Sequence, residues 1–147
     1  YSASKFPESV DYGYVANNLQ NVRYFSDCLT WNIDGSVGKV HYRIGKFSLS
    51  EKVIPLIVQG KYTDFLDVDF LKYTIESEFA KHSFGFSNKA GKGKIQHIEM
   101  LIPINSKGEL DLSAQKEIAK KYSKIEQIKK SIAEELDKIA SIDIDYA

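Results

Sequence analysis

The chain has 147 residues, of which 43% are hydrophobic and 27% are charged, a composition typical of one globular domain with at most a small extension. Its 20 basic and 20 acidic residues cancel, which argues against a protein that holds nucleic acid through a uniformly basic surface. The single cysteine, Cys28, excludes a disulfide framework and a multi-cysteine zinc site, and no apolar run approaches the roughly 20 residues that cross a bilayer.

The beginning of the chain carries no visible targeting signal. Residues 1–10 lack the basic start and the apolar stretch of a signal peptide, and the lone cysteine suits a reducing compartment. We therefore expect a cytoplasmic protein. The chain begins without methionine, and Met100 is its only methionine, which indicates a fragment or a trimmed chain.

Residues 28–43 predict two strands joined by a turn. Residues 28–33 form a β-prone run, and Asp-Gly-Ser at 34–36 supplies turn chemistry. Residues 38–43 alternate in polarity, which predicts a strand with one buried and one basic face. The predicted buried face holds Val40 and Tyr42, and the basic face holds Lys39, His41 and Arg43.

A second turn is predicted at residues 44–46, before another strand and a helix. Residues 52–58 are nearly all apolar, which predicts a strand buried on both sides, although Pro55 moves it toward a sheet edge or a bulge. From Asp67, a plausible N-cap, the apolar residues follow a helical period, and this helix should end near His82. The apolar face of this helix consists of Val68, Leu71, Ile75 and Phe79.

The following segments predict a loop, a strand and a turn. Residues 84–94 are rich in Gly and Lys and form what we call the Gly/Lys loop. Residues 98–104 read as a strand that ends at Pro103, and residues 105–108 read as a turn. The elements up to this point predict a twisted, mostly antiparallel sheet with a packing helix.

The C-terminal part predicts one long helix. Asp111 or Ser113 can cap a helix that runs to about Ala140, about 28 residues and about 42 Å long. A narrow isoleucine seam on so long a helix favours pairing with another helix, and the alternative is packing back on its own domain. The predicted helix-pairing residues are Ile118, Ile125, Ile128, Ile132, Leu136 and Ile139.

The sequence thus predicts an α+β fold in two parts, residues 1–108 and residues 109–147. The first part carries 13 basic and 11 acidic residues, and the second carries 7 basic and 9 acidic residues. Two stretches of the first part, residues 35–50 and 79–98, contain no acidic residue, so a positive face can exist on a neutral protein. The alternative is that their lysines are solvated and bind nothing.

The sequence lacks the motifs of the common enzyme classes. Its three histidines are not paired at metal-binding spacing, and no Asp-x-Lys or Glu-x-Lys nuclease core occurs. Gly-Lys-Gly-Lys at 91–94 lacks the preceding glycine and the following Ser/Thr of a nucleotide-binding loop, and no Gly-x-Ser-x-Gly is present. We therefore expect a non-catalytic protein without a cofactor or a metal.

The run LTWNIDGSVGKVHYRIGKFSLSEKV, residues 29–53, resembles the body of a target recognition domain from the DNA-specificity subunits of type I restriction–modification systems. The resemblance continues through the helix at 67–79, HIEMLIPI at 97–104 and the long helix at 110–139, and its local motifs are GKVHYR at 38–43 and GKF at 45–47. YSAS at 1–4 resembles the end of the family's early strand, so a strand or two is expected upstream.

The resemblance implies a non-catalytic module that reads half of a split duplex DNA target. It also implies that long helices pair antiparallel as a coiled coil and so set the distance between half-sites. Methyltransferase and nuclease activities would come from partner subunits, a methyltransferase (modification) subunit and possibly a restriction subunit.

The DNA-binding candidates are chosen by side-chain chemistry, because the resemblance assigns no base contact. Lys92 and Lys94 are candidates for phosphate contacts, and Arg43 for base readout. In the alternative role for Arg43, its stem packs beside Tyr42 and its head pairs with an acid such as Glu51. The full set of DNA-binding candidates is Lys39, His41, Arg43, Lys46, Asn88, Lys89, Lys92 and Lys94.

Other assignments remain open at this point. The chain holds one recognition domain and one long helix, so it could be half of a two-domain subunit or a half-subunit that dimerises. It could equally be the specificity end of a single-chain type IIG restriction–methylation enzyme. The alternative from another class is a coiled-coil protein–protein interaction module without DNA contact.

Overall fold

The computed structural model of the chain describes residues 1–6, 13–16 and 18–142. Three strands form an antiparallel sheet in the order β2-β1-β3, where β1 is Tyr24–Asn32, β2 is Val40–Ser48 and β3 is Val53–Leu56. After a 3₁₀ helix at Gly60–Phe65 come α1, Val68–Lys81, and the single turn α2, Lys92–Ile95. The last helix, α3, is Leu112–Ala140. This arrangement confirms the predicted α+β class.

One face of the sheet packs on α1 and forms the core. Leu29 and Trp31 of β1 and Val40 of β2 are buried against this helix. The side chain of Asp67 accepts a hydrogen bond from the N–H of Phe70, as the N-cap prediction requires. The predicted apolar face of α1 is confirmed, because Leu71 and Phe79 are buried, and Val68 and Ile75 pack against the same cluster.

The other face of the sheet is covered by the first residues of the chain, which corrects the predicted exposure of β2. The N–H of Ser36 donates to the carbonyl of Ala3, and His41 and Arg43 are only 5% and 2% exposed. Tyr42, predicted to be buried, is 37% exposed. The predicted basic face is therefore wrong for His41 and Arg43, because residues 1–4 cover the side of the sheet that the prediction left to solvent, whereas Lys39 is exposed.

The predicted turn at residues 44–46 is also wrong, because β2 runs through it. The pairing of β1 with β2 shifts between Ser26 and Cys28, which marks a β-bulge. Asp27 has a φ of 47° and Gly45 a φ of 74°, and the Asp27 carboxylate accepts a hydrogen bond of 2.8 Å from the Gly45 N–H. A glycine that tolerates positive φ serves a bulge as well as a turn.

The edge position predicted from Pro55 is confirmed, since β3 pairs with β1 at one side of the sheet. Its predicted burial on both sides is wrong, because only Val53 of its four residues is buried. The strand predicted at residues 98–104 is not formed, and that segment shows only one bridge, between Ile104 and Leu110. Both edges of β1 are already occupied, so the segment packs on the core through Ile98, Met100 and Ile102 instead.

The long helix has the predicted bounds and begins within the globular part. The side chain of Asp111 accepts a hydrogen bond from the N–H of Ala114 and caps α3. Gln115 is fully buried, and its amide accepts from the N–H of Asp67 at 2.9 Å and donates to the carbonyl of Phe65 at 3.0 Å. This amide therefore joins α3 to the start of α1.

We expect Gln115→Ala to lower the free energy of unfolding by about 2 kcal/mol, because it removes both hydrogen bonds of a fully buried side chain. Urea denaturation followed by circular dichroism measures this loss. Gln127→Ala on an exposed turn of the same helix is the control, with an expected change below about 0.5 kcal/mol. Equal effects for the two substitutions would show that the Gln115 amide does not join the helices.

Candidate nucleic-acid interface

The Gly/Lys loop is anchored to the end of the sheet. The indole Nε1 of Trp31 donates a 2.9 Å hydrogen bond to the carbonyl of Ala90, a fully buried residue. Lys89 forms a 2.8 Å ion pair with Asp34, in the turn that follows β1. The Lys89 hydrogen bond and the N–H of Gly35 hold the pKa of Asp34 below its usual value. The loop therefore lies beside the turn that joins β1 to β2.

Asn88 braces the Gly/Lys loop from inside. Its backbone exchanges two hydrogen bonds with Gly85, and its side-chain amide donates to the carbonyls of His82 and Ser83. Its amide oxygen accepts a hydrogen bond from Lys94. These bonds show that the Asn88 side chain holds the shape of the loop, and its DNA contact stays a prediction.

Several predicted lysines gather at this end of the domain, where carboxylates pair with some of them. Lys39 lies 3.5 Å from Glu76 of α1, and Lys89 is paired with Asp34. Lys92 and Lys94 are exposed on α2, and among the described residues neither forms an ion pair. At this end of the domain, Lys92 and Lys94 thus carry positive charge that no described carboxylate pairs with.

His41 and Arg43 do not reach this surface, because the N-terminal residues cover them. The Nε2 of His41 lies 3.1 Å from the carbonyl oxygen of Ser4. The guanidinium of Arg43 lies 3.9 Å above the ring of Tyr1. Asn32, which no sequence motif indicated, is fully buried and donates a 2.8 Å hydrogen bond to the same Ser4 carbonyl. These side chains hold residues 1–4 on the sheet.

Burial lowers the pKa of His41 below its ordinary value of 6.5, which outweighs its hydrogen bond to Ser4. The unfolded chain therefore takes up a proton at a higher pH than the folded chain does. The contribution of His41 to the free energy of unfolding should be fully present above pH 6.5 and should fall as the pH is lowered below that value. We expect His41→Gln to flatten this loss in urea titrations between pH 7 and 5, and an equally steep loss in this variant would contradict the assignment to His41.

Lys46 lies at the other end of β2. It is seven residues beyond Lys39, about 23 Å along the strand, and its Nζ lies 4.6 Å from the centre of the Tyr24 ring. The structure therefore brings Lys39, Asn88, Lys89, Lys92 and Lys94 to one end of the sheet. It buries His41 and Arg43 and places Lys46 apart from the rest.

Of the six predicted helix-pairing residues, one packs on the core and five are exposed. Ile118 packs against the core cluster, and Tyr122 stacks on Tyr73 with ring centres 5.6 Å apart. Every residue from 127 to 140 is exposed. The remaining predicted residues form what we call the apolar stripe, with exposed fractions of 48–64%: Ile125, Ile128, Ile132, Leu136 and Ile139.

One cleft of the domain contains Cys28 in its lining. This cleft of about 570 Å³ between β1 and the 3₁₀ helix is lined mostly by apolar side chains, among them Leu29, Leu56 and Leu71. Burial raises the pKa of the Cys28 thiol at its edge, which disfavours the reactive thiolate. Within residues 1–6, 13–16 and 18–142, no group of three His, Cys, Asp or Glu residues could hold a metal ion. No helix in this part of the chain is long and apolar enough to span a membrane.

Comparison with known families identifies this chain's family. The family model described as type I restriction modification DNA specificity domain matches residues 8–139, which include the whole sheet, α1, the Gly/Lys loop and nearly all of α3. No curated protein matches the chain.

Proposed function

Because the chain belongs to the family of type I restriction modification DNA specificity domains, we propose that it reads one half of a bipartite duplex DNA target. The family match over residues 8–139 carries this proposal. In the proposed role, the chain directs a methyltransferase subunit, and a restriction subunit where one is present, to that target in the cytoplasm. It supplies no catalytic group itself.

We propose that the two sequence parts have different tasks. Residues 1–108 recognise DNA, and residues 109–147 pair with an equivalent helix and set the distance between half-sites. The equivalent helix belongs to a second recognition domain of the same subunit or to a second copy of the chain. In the alternative, the chain is the specificity end of a single-chain type IIG restriction–methylation enzyme.

The Gly/Lys loop is the proposed DNA-contacting element. Lys92 and Lys94 sit on α2, exposed and without carboxylate partners among the described residues, which suits contacts to phosphate. Lys39 and Lys89 lie at the same end of the sheet. In the proposed complex, each exchanges its carboxylate partner, Glu76 or Asp34, for a DNA phosphate. His41 and Arg43 are buried, so they would act on DNA only by holding residues 1–4 in place.

The charges of α3 support antiparallel pairing. Within residues 112–130 there are six lysines and two glutamates, whereas residues 131–140 carry Glu134, Glu135 and Asp137 with a single lysine. An antiparallel partner centred on Ile132 places these acids level with Lys129 and Lys130, and a parallel partner places acid beside acid. The apolar stripe would form the seam.

The exposed apolar stripe also favours the second candidate, an interaction module that pairs through α3 and does not bind DNA. The two candidates differ in one property. The interaction module pairs without any DNA sequence preference, whereas the specificity domain confers one on its methyltransferase partner.

The proposed function is tested by co-expressing the protein with a type I methyltransferase subunit of the same system in a host without DNA methylation. Methylated bases are then mapped across the host genome. We expect methylation at one bipartite motif, made of two short half-sites with a fixed spacer. Methylation that requires the protein but shows no motif, or none that requires it, would contradict the proposal.

A further inference from the structure

The Gly/Lys loop presents an aromatic side chain to solvent. Phe86 is 90% exposed, at the tip of the turn whose ends are joined by the two backbone hydrogen bonds between Gly85 and Asn88. Its neighbour Phe84 is turned inward, with its ring 5.7 Å from that of Phe79 and 5.7 Å from that of His82. One phenylalanine of the loop thus anchors it, and the other is left in water.

Hydrogen bonds brace the backbone of the turn that carries Phe86. The Asn88 side chain bonds to the carbonyls of His82 and Ser83, and the Trp31 indole holds the carbonyl of Ala90. An aromatic ring on a braced turn loses little conformational freedom when it contacts a partner. The braced turn therefore presents the ring of Phe86 to solvent.

The surroundings of Phe86 favour a partner made of stacked bases and phosphates. The residues on either side, Gly85 and Ser87, are small, so the ring projects on a narrow support. Residues 79–98 contain no acid, and the exposed Lys92 and Lys94 follow the tip in the same loop. An apolar ring beside lysines matches a duplex, in which base steps accept a hydrophobic wedge and phosphates accept cations.

We propose that Phe86 inserts as a wedge against a base step of the DNA target and bends the duplex there. This inference rests on the proposed function and deepens it, because it assigns a residue and a mode of readout. A wedge recognises how easily a step unstacks, so it would favour flexible pyrimidine–purine steps without a hydrogen bond to any base.

The test uses the protein with its methyltransferase subunit and a duplex that carries the mapped motif, labelled at both ends for energy transfer. We expect Phe86→Ala to raise the Kd for this duplex about 10- to 100-fold and to abolish the bending signal. Phe86→Trp should retain the bend. Leu101→Ala, at a residue that is 91% exposed, is the matched control and should bind and bend like the wild type.

Three outcomes would overturn the inference. Phe86→Ala could bind and bend the duplex as the wild type does. The wild-type complex could leave the duplex straight and lose affinity when thymines are replaced by uracils, which would show a contact to a thymine methyl group instead of a wedge. A wild-type complex with no preference for the motif over a scrambled duplex would overturn the proposed function together with this inference, whereas the first two outcomes leave the proposed function intact.

Discussion

Replacing Ile125 and Ile132 with Glu should separate α3 from its partner helix. Both side chains lie on the apolar stripe and are 48% and 55% exposed in the single chain. In a symmetric pair, the double substitution removes four isoleucines from the seam and places four charges in it. Each lost side chain removes roughly 1.5–3 kcal/mol of apolar burial, so we expect the Kd of pairing to rise more than about 100-fold.

Sedimentation equilibrium of the full-length protein over a wide concentration range measures this change. Gln127→Glu together with Ser131→Glu adds the same charge outside the apolar stripe and is the matched control. In a full-length subunit with two recognition domains, the pairing is internal, and proteolysis of the released helix replaces sedimentation as the measurement. A protein that stays monomeric at every concentration, with α3 protected equally in both variants, would show that the stripe has no partner helix.

Replacing Lys92 and Lys94 with Ala should weaken DNA binding to all sequences by the same factor. Both lysines are exposed on α2, and phosphate contacts carry no sequence information. We expect the slope of log Kd against log salt to fall by about 0.9 for each lost contact. Fluorescence anisotropy at several salt concentrations, with motif and scrambled duplexes, measures both effects.

The control for this pair is Lys107→Ala together with Lys116→Ala, which removes the same charge from exposed positions before and at the start of α3. It should leave the salt dependence unchanged. An equal fall in slope for both pairs would mean that the lysines act through the overall charge of the protein. A loss confined to the motif duplex would mean that Lys92 or Lys94 reads a base.

Both helices could be predicted from local sequence because their signals lie within one or two turns. Asp67 and Asp111 cap α1 and α3, as their position before an apolar period indicates. The long-range role of Gln115 could not be predicted in this way. Its partners, Asp67 and Phe65, lie about 50 residues away in the chain, and the position of the glutamine on the helix does not indicate which distant backbone groups it contacts.

The sheet was harder to predict because its exposure depends on what covers each face. The alternation at residues 39–43 predicted a strand, and β2 confirms it. It also predicted a basic face, which fails because residues 1–4 lie on that side and bury His41 and Arg43. Asn32 gave a signal that could have found this cover, because a polar residue inside a β-prone run requires a buried hydrogen-bond partner.

The sequence predicted which lysines belong to the candidate site but not which acids pair with them. The acid-free stretch at residues 79–98 indicated a basic surface, and α2 presents two of its lysines. The ion pairs of Lys39 and Lys89 with Glu76 and Asp34 could not be predicted, because these partners come from elements far apart in the chain.

Competition binding measures whether this chain confers the sequence-specific DNA binding that we propose for it. The protein, assembled with its methyltransferase subunit, is bound to a labelled duplex with the mapped motif and challenged with motif or scrambled duplex at one fixed salt concentration. We predict that the motif duplex competes at least about 1000-fold better than the scrambled duplex. Equal competition by the two duplexes would contradict the account.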